Sequence, residues 1–189
     1  MDKLDKGTEN KLKFMDNKPM IGACITGIFY FFTFSAVFVS QSGYLFVLIY
    51  LPGITFPLVT SYFNTRHLKN RVLFICGHFV FSILLYVFCL ILFLSGADTG
   101  ISFIISGLIG SLVYLTVSKS LYKEIIEKHL FVAVVLSGIV FLPLIVSSRG
   151  IGALGQMWGA ISMGFGIFAW TVINGYVLNS AYKKSIINQ

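Results

Sequence analysis

The chain has 189 residues, of which 57% are hydrophobic and 11% charged, with a mean hydropathy of +0.88. Soluble domains carry about 25% charged side chains, so this inventory excludes a water-exposed globular surface, and the length allows one compact bundle with no second folded domain. The formal charge of +7 sits in short clusters between apolar runs, which excludes the solvated basic stripe of a nucleic-acid binder and reads as a topology signal.

Residues 1–19 hold five lysines and four acids and read as a polar cytoplasmic tail. Their mixed charge suits a signal peptide poorly, so the first apolar run is expected to remain as a span. Six apolar runs follow, at about 20–40, 44–63, 72–94, 101–118, 130–146 and 155–179. A helix rises 1.5 Å per residue, so ~20 residues cross a hydrocarbon core of ~30 Å. The predicted fold is an all-α polytopic membrane bundle of six transmembrane helices.

The second run contains Leu51-Pro52-Gly53-Ile54-Thr55-Phe56-Pro57. Each proline removes a backbone donor, so a kink or break is predicted across Pro52, Gly53 and Pro57. Breaks at membrane depth survive only where protein or a watery cavity satisfies the freed groups. This run should therefore face its neighbours.

The third run begins on the basic knot Arg66-His67-Leu68-Lys69-Asn70-Arg71 and then carries no charged side chain. The rest of the chain is expected to be organised around it. His78 lies within it, in a mildly polar stripe with Ser82, Tyr86 and Cys89 at steps of three or four. An ionisable group at that depth is costly and points to function.

The fourth run places Ser102, Ser106 and Gly110 four apart, a face suited to close helix approach. Residues 119–129, KSLYKEIIEKH, predict a helix at the inner interface or extending the fourth span, with i,i+4 pairs Lys123–Glu127 and Glu124–Lys128. The fifth run holds Gly138 and Pro143, a second candidate break. The sixth is the densest in glycine, with the small pairs Gly155/Gly159, Ala160/Gly164 and Ser162/Gly166. It should be the most buried helix or an oligomer interface. The partners implied are the lipid bilayer and a second copy or partner membrane subunit docking on the small-residue faces of the fourth and sixth spans; nucleic acid is not among them. Residues 183–189 form a second cytoplasmic tail.

With the amino terminus cytoplasmic, thirteen of the fourteen Lys and Arg residues fall inside, and Arg149 alone falls outside. The positive-inside rule then gives both termini cytoplasmic in the cell (plasma) membrane. Residues 45–56, LFVLIYLPGITF, and 130–141, LFVAVVLSGIVF, match at seven of twelve positions. They are the second spans of two three-span halves, which points to a 3+3 inverted repeat of the kind found around transporter sites. Against it, Leu, Phe, Val and Ile are so common here that matches by chance are cheap.

Hydrolytic or transfer chemistry needs a nucleophile with a base, paired carboxylates or a metal site. The six runs hold no Asp, Glu, Lys or Arg, and Cys24, Cys76 and Cys89 lack metal-ligand spacing. No enzyme, cofactor or metal is expected. The candidate substrate-binding residues are His78, Asn174, Thr26, Thr55, Ser82 and Tyr86, with His78, Asn174 and Thr26 at similar depth. They form either a polar pocket open to the cytoplasmic side or interhelical hydrogen-bond glue. Leu112-Val113-Tyr114 with Lys119 fits a loose cholesterol-contact pattern.

Size and topology are similar to those of the substrate-capture subunits of vitamin importers, a likeness of plan that no residue motif carries. The expected function is a non-enzymatic small transporter, channel or substrate-capture subunit for a small solute, ion or lipid. The alternative is an accessory, assembly or immunity-type membrane protein without a transported substrate.

Overall fold

A computed structural model describes residues 18–40, 51–64, 70–95, 99–122, 125–147 and 153–187. Residues 1–17, 41–50, 65–69, 96–98, 123–124, 148–152 and 188–189 lie outside the described residues; they include most of the predicted amino-terminal tail, the first predicted outer turn with the start of the second run, and parts of the basic knot and of the other predicted outer loops. Among the described residues the chain is all-helical, without strands: α1 (Lys18–Ser40), α2 (Leu51–Asn64), α3 (Arg71–Ser95), α4 (Thr99–Tyr122), α5 (Glu127–Ile139), α6 (Leu142–Ser147) and α7 (Ala153–Ile187).

Among the described residues, four segments are long and apolar enough to cross a membrane: Arg71–Cys89, Ile101–Lys119, Glu127–Ile145 and Met157–Lys184. Met20–Ala36 is a shorter apolar helix. The bundle exposes large apolar side chains and buries several polar ones within a mainly apolar core. Ile25, Phe32, Val72, Leu73, Leu84 and Phe131 are each more than 60% exposed, while Thr60, His78, Ser111, Ser137 and Asn174 are buried. Water would penalise such a surface, whereas lipid tails are as apolar as leucine. The arrangement is compatible with an integral membrane protein.

The bundle is centred on α7, which packs on α1, α2, α4, α5 and α6 and has the largest buried share of the four long segments. The expectation that the third run organises the chain is corrected: α3 packs on α2 and α4 and is the least buried. Side-chain size is the reason. Glycines on α7 let neighbouring backbones approach, whereas the Val, Leu and Phe side chains of α3 hold them off. A Cβ on Gly27 of α1 would stand 2.9 Å from the Phe168 ring of α7, and Gly164 and Gly175 of α7 are filled by Phe31 and Ala23 of α1. The Ser35 hydroxyl donates to the Ala160 carbonyl at 3.1 Å, so the Ala160/Gly164 pair serves α1 of the same chain.

The small face of α4 is also used internally. The Ser106 hydroxyl donates to the Cys89 carbonyl (3.2 Å), and the Cys89 thiol donates back to the Ser106 carbonyl (3.7 Å). Gly110 lies over the Cys89 sulfur. On the other flank, a Cβ on Gly107 would meet the Ser137 carbonyl of α5 at 2.5 Å.

The two proline-bearing runs behave differently. Helix α2 continues from Leu51 to Asn64 through Pro57, so the kink or break predicted across Pro52, Gly53 and Pro57 does not take the form of a break. The fixed φ of proline is itself helical, so a missing donor need not end a helix held by its neighbours. The fifth run does break, between Gly138 and Pro143: α5 ends at Ile139 and α6 starts at Leu142. The Phe141 N–H turns to the Gly138 carbonyl at 3.1 Å, and the Leu144 N–H to the Phe141 carbonyl at 3.0 Å. The turn carries Phe141 into the bundle, stacked on Phe103 with centroids 5.6 Å apart and seated against Gly107 and Gly166.

At the opposite end, the helix expected across 119–129 is interrupted. Helix α4 is described as far as Tyr122, Ile125 and Ile126 are not helical, with Ile126 extended (φ −75°, ψ 128°), and α5 starts at Glu127. Glu127 pairs with Lys119 at 2.6 Å across the turn, while Lys123 and Glu124 of the predicted pairs lie outside the described residues.

Candidate functional site: a buried polar core

Among the described residues, two hydrogen-bonded groups in the interior are reached from α4. In the first, His78 of α3 is 1% exposed and its Nε2 lies 2.8 Å from the Tyr114 hydroxyl of α4. The same hydroxyl lies 2.9 Å from Thr60 Oγ1 of α2, and Thr60 donates to the Phe56 carbonyl at 2.8 Å. Which partner donates between His78 and Tyr114 follows the imidazole tautomer. The rings of His78 and Tyr114 meet edge to face, 5.1 Å apart.

In the second group, the Ser111 hydroxyl of α4 donates to Asn174 Oδ1 of α7 at 2.8 Å. The Asn174 amide donates to Ser137 Oγ of α5 at 3.2 Å and to the Trp170 carbonyl at 2.8 Å. Ser111, Ser137 and Asn174 are fully buried. Ser111 and Tyr114 are three residues apart on α4, so both point to the same side of that helix.

Trp170 connects the two groups. Its indole N–H donates to the Gly107 carbonyl at 3.1 Å, while its ring packs on Phe56 and Tyr114 at 5.6 and 6.3 Å. Polar side chains from α2, α3, α4, α5 and α7 are thus joined around one indole. At the first residue of α3, the Arg71 guanidinium donates to the Tyr62 carbonyl at 3.1 Å and lies 4.5 Å over its ring, which fastens α3 to α2.

The candidate residues read from the sequence divide accordingly. His78 and Asn174 are both in the buried core but in different groups. Thr26 stays on its own helix, donating to the Gly22 and Ala23 carbonyls at 2.8 and 3.0 Å, and does not reach His78. This self-bonding is the usual option of a threonine inside a helix. Thr55 bonds Tyr30, a fully buried side chain of α1. Ser82, one turn along α3 from His78, is buried, and its hydroxyl meets no hydrogen-bond partner among the described residues. Tyr86 lies half-buried a turn further on.

The sequence reading passed over Thr60, Ser111, Ser137 and Tyr30, and took Tyr114 only as part of a cholesterol-contact pattern. Tyr114 is 2% exposed and bonded to His78 and Thr60, a core position rather than the outward-facing centre of a cholesterol-contact pattern. Its recurrence with Ser111 and Ser118 on one face of α4 is the signal that would have found it. Among the described residues no group of three His, Cys, Asp or Glu side chains is placed to hold a metal ion. Compared with protein-family models, curated proteins and solved structures, the chain matches none.

Proposed function

We propose that the protein is a non-enzymatic, six-span integral membrane protein of the plasma membrane, with both termini cytoplasmic, that carries a small polar solute or ion. One observation supports this reading above the others: hydrogen-bonding side chains from five helices converge inside a bundle whose exterior is apolar. Polar groups in spans are costly and face the interior along solute paths or at binding sites. The interrupted fifth span beside this core adds to the case, because discontinuous helices border the sites of many transporters. The buried phenylalanines Phe56 and Phe141 occupy matching positions of the two similar segments, which accords with a 3+3 inverted repeat.

The test is electrical. The purified chain is reconstituted in liposomes on a solid-supported membrane and exposed to concentration jumps of protons, alkali cations and small zwitterions. Carriage predicts a saturable current for at least one class, reduced in Asn174→Leu. Silence across all three classes, with correctly folded protein, would contradict it.

A second reading, an accessory or assembly protein, draws on the way Asn174 meets Ser111, Ser137 and Trp170 within the chain. Such closure suits hydrogen-bond glue. Under that reading Asn174→Leu lowers the unfolding temperature and changes no current.

A further inference from the structure

We infer that the seam between α5 and α7, at the end where α5 begins and α7 closes, is a binding site for one anionic phospholipid. The site asks only that the chain lie in a bilayer, whether or not it carries a solute. The two helices run antiparallel along this seam. Phe141 sits against Gly166 at one level, and His129 sits against Tyr176 at the other, their ring centroids 6.5 Å apart. Lys128 stands beside His129 in the first turn of α5. Two turns beyond Tyr176, at steps of seven and eight residues, Lys183 and Lys184 fall on the same side of α7.

The charge at this end is unbalanced. Glu127 is the only acid among the described residues, and Lys119 holds it at 2.6 Å. Lys128, Lys183 and Lys184 meet no carboxylate among the described residues. The His129 imidazole is half-buried; its Nδ1 is enclosed and meets no hydrogen-bond partner, which leaves Nε2 as the nitrogen a ligand can reach. Basic pockets between spans bind anionic headgroups. A headgroup carrying an ammonium would find no acid here to receive it, since Glu127 is already engaged. The ligand is therefore a lipid of net negative charge and not a zwitterionic one.

The same seam supplies the apolar half of the site. Val132 and Leu136 follow His129 at steps of three and seven, so they share its side of α5, and they are 45% and 41% exposed. Tyr176 is 56% exposed beside them, its phenol at the level of the imidazole, as suits an aromatic ring at a headgroup boundary. Cations, phenol and aliphatic side chains thus succeed one another within two helical turns, ~10 Å. That is the order in which a phospholipid presents its phosphate, its glycerol esters and its acyl chain. A free phosphate would use the cations and leave Val132 and Leu136 without a role.

Thermal unfolding of the full chain in a neutral detergent tests this, with phosphatidylglycerol titrated against phosphatidylcholine of the same acyl chains. The expected result is a saturable rise of several degrees with phosphatidylglycerol and little with phosphatidylcholine. Each basic residue near an anionic lipid surface is worth ~1 kcal/mol, so Lys183→Gln/Lys184→Gln should raise the half-saturating concentration on the order of tenfold. Arg66→Gln/Lys69→Gln removes the same charge from the basic knot and should leave that concentration unchanged. If the Lys183/Lys184 variant does not fold, Lys128→Gln serves in its place, and the contrast between the two lipids needs no variant. An equal response to phosphatidylcholine, or an equal loss in both double variants, overturns the site in favour of general surface charge. Glycerol phosphate that stabilises the chain as well as phosphatidylglycerol does would assign a free phosphate and overturn the lipid.

Discussion

His78 Nε2 and the Tyr114 hydroxyl lie 2.8 Å apart, and through this contact the least buried long helix is fastened to the polar interior. Lipid replaces neighbouring protein without a hydrophobic penalty, so specific packing and hydrogen bonds must secure a peripheral helix. Further fastenings are the Ser106–Cys89 exchange further along α3 and the Arg71–Tyr62 clamp at its first residue.

Removing the Tyr114 hydroxyl should loosen α3 and α2 together, because the one oxygen meets both His78 and Thr60. Interhelical hydrogen bonds in membranes average ~0.6 kcal/mol each, so Tyr114→Phe should cost about 1 kcal/mol. The ring and its contacts with Phe56 and Trp170 are kept. Unfolding in mixed micelles should register the loss, and Thr60→Val should cost less than Tyr114→Phe. Equal losses would assign the effect to packing.

Glycine substitutions should separate filled interfaces from open ones. At Gly107 a Cβ would fall 2.5 Å from the Ser137 carbonyl and 2.7 Å from the Phe141 ring, and backbone cannot yield as a side-chain tip can. Gly107→Ala should destabilise by about 1–3 kcal/mol, the ordinary cost of overpacking. Gly77 of α3 has nothing within 4 Å of such a Cβ, so Gly77→Ala should be neutral or gain up to about 1 kcal/mol of helix propensity. Similar effects from the two would refute the placement of α3 at the rim.

Long apolar runs announced the helices because a span must satisfy all its backbone groups internally, and no other short-range pattern competes with that signal. The position of the fifth-span break was legible for a related reason: Gly138 and Pro143 bracket the turn at Val140–Phe141. Pro57 carried the same local chemistry without breaking α2, since the outcome there depends on neighbours that the sequence does not list. Asn174 and His78 stood out as costly polar groups, but their partners did not. Serine, threonine and tyrosine hydroxyls are common in spans and choose among helices by packing. Thr26 bonds its own helix, Thr55 takes Tyr30, and Glu127 reaches Lys119 across a turn that the i,i+4 spacing had read as helix.

The topology argued from charge predicts that cysteines introduced at Ser42, Asp98 and Gly152, all outside the described residues, react with an impermeant maleimide from the extracellular side. The basis is the thirteen-to-one distribution of basic residues. Cysteines at Ser185 or Ile186 should react only after permeabilisation. Reversal of the two groups would invert the bundle, and labelling of Ser42 and Asp98 from opposite sides would change the number of spans.

The role of His78 can be decided by three forms of the chain. Its side chain is 1% exposed and touches the Tyr114 hydroxyl, so it points into the protein and away from lipid. His78→Leu places an apolar group against that hydroxyl and deprives it of an interhelical partner. The expected cost is about 1 kcal/mol, between the membrane average for one hydrogen bond and the penalty for a buried group left with fewer partners. His78→Gln keeps a donor and an acceptor on a side chain of comparable reach, so its unfolding temperature should lie close to that of the unsubstituted chain. If the imidazole only joins helices, any transport current should keep its pH dependence in the glutamine form. If it exchanges protons, that form should fold normally and carry current whose response to pH is flat. Histidine is the side chain whose ordinary titration falls nearest physiological pH, and glutamine does not titrate. Equal stability of all three forms would show that the bond to Tyr114 contributes nothing, and the polar core would then have to be argued from Asn174 alone.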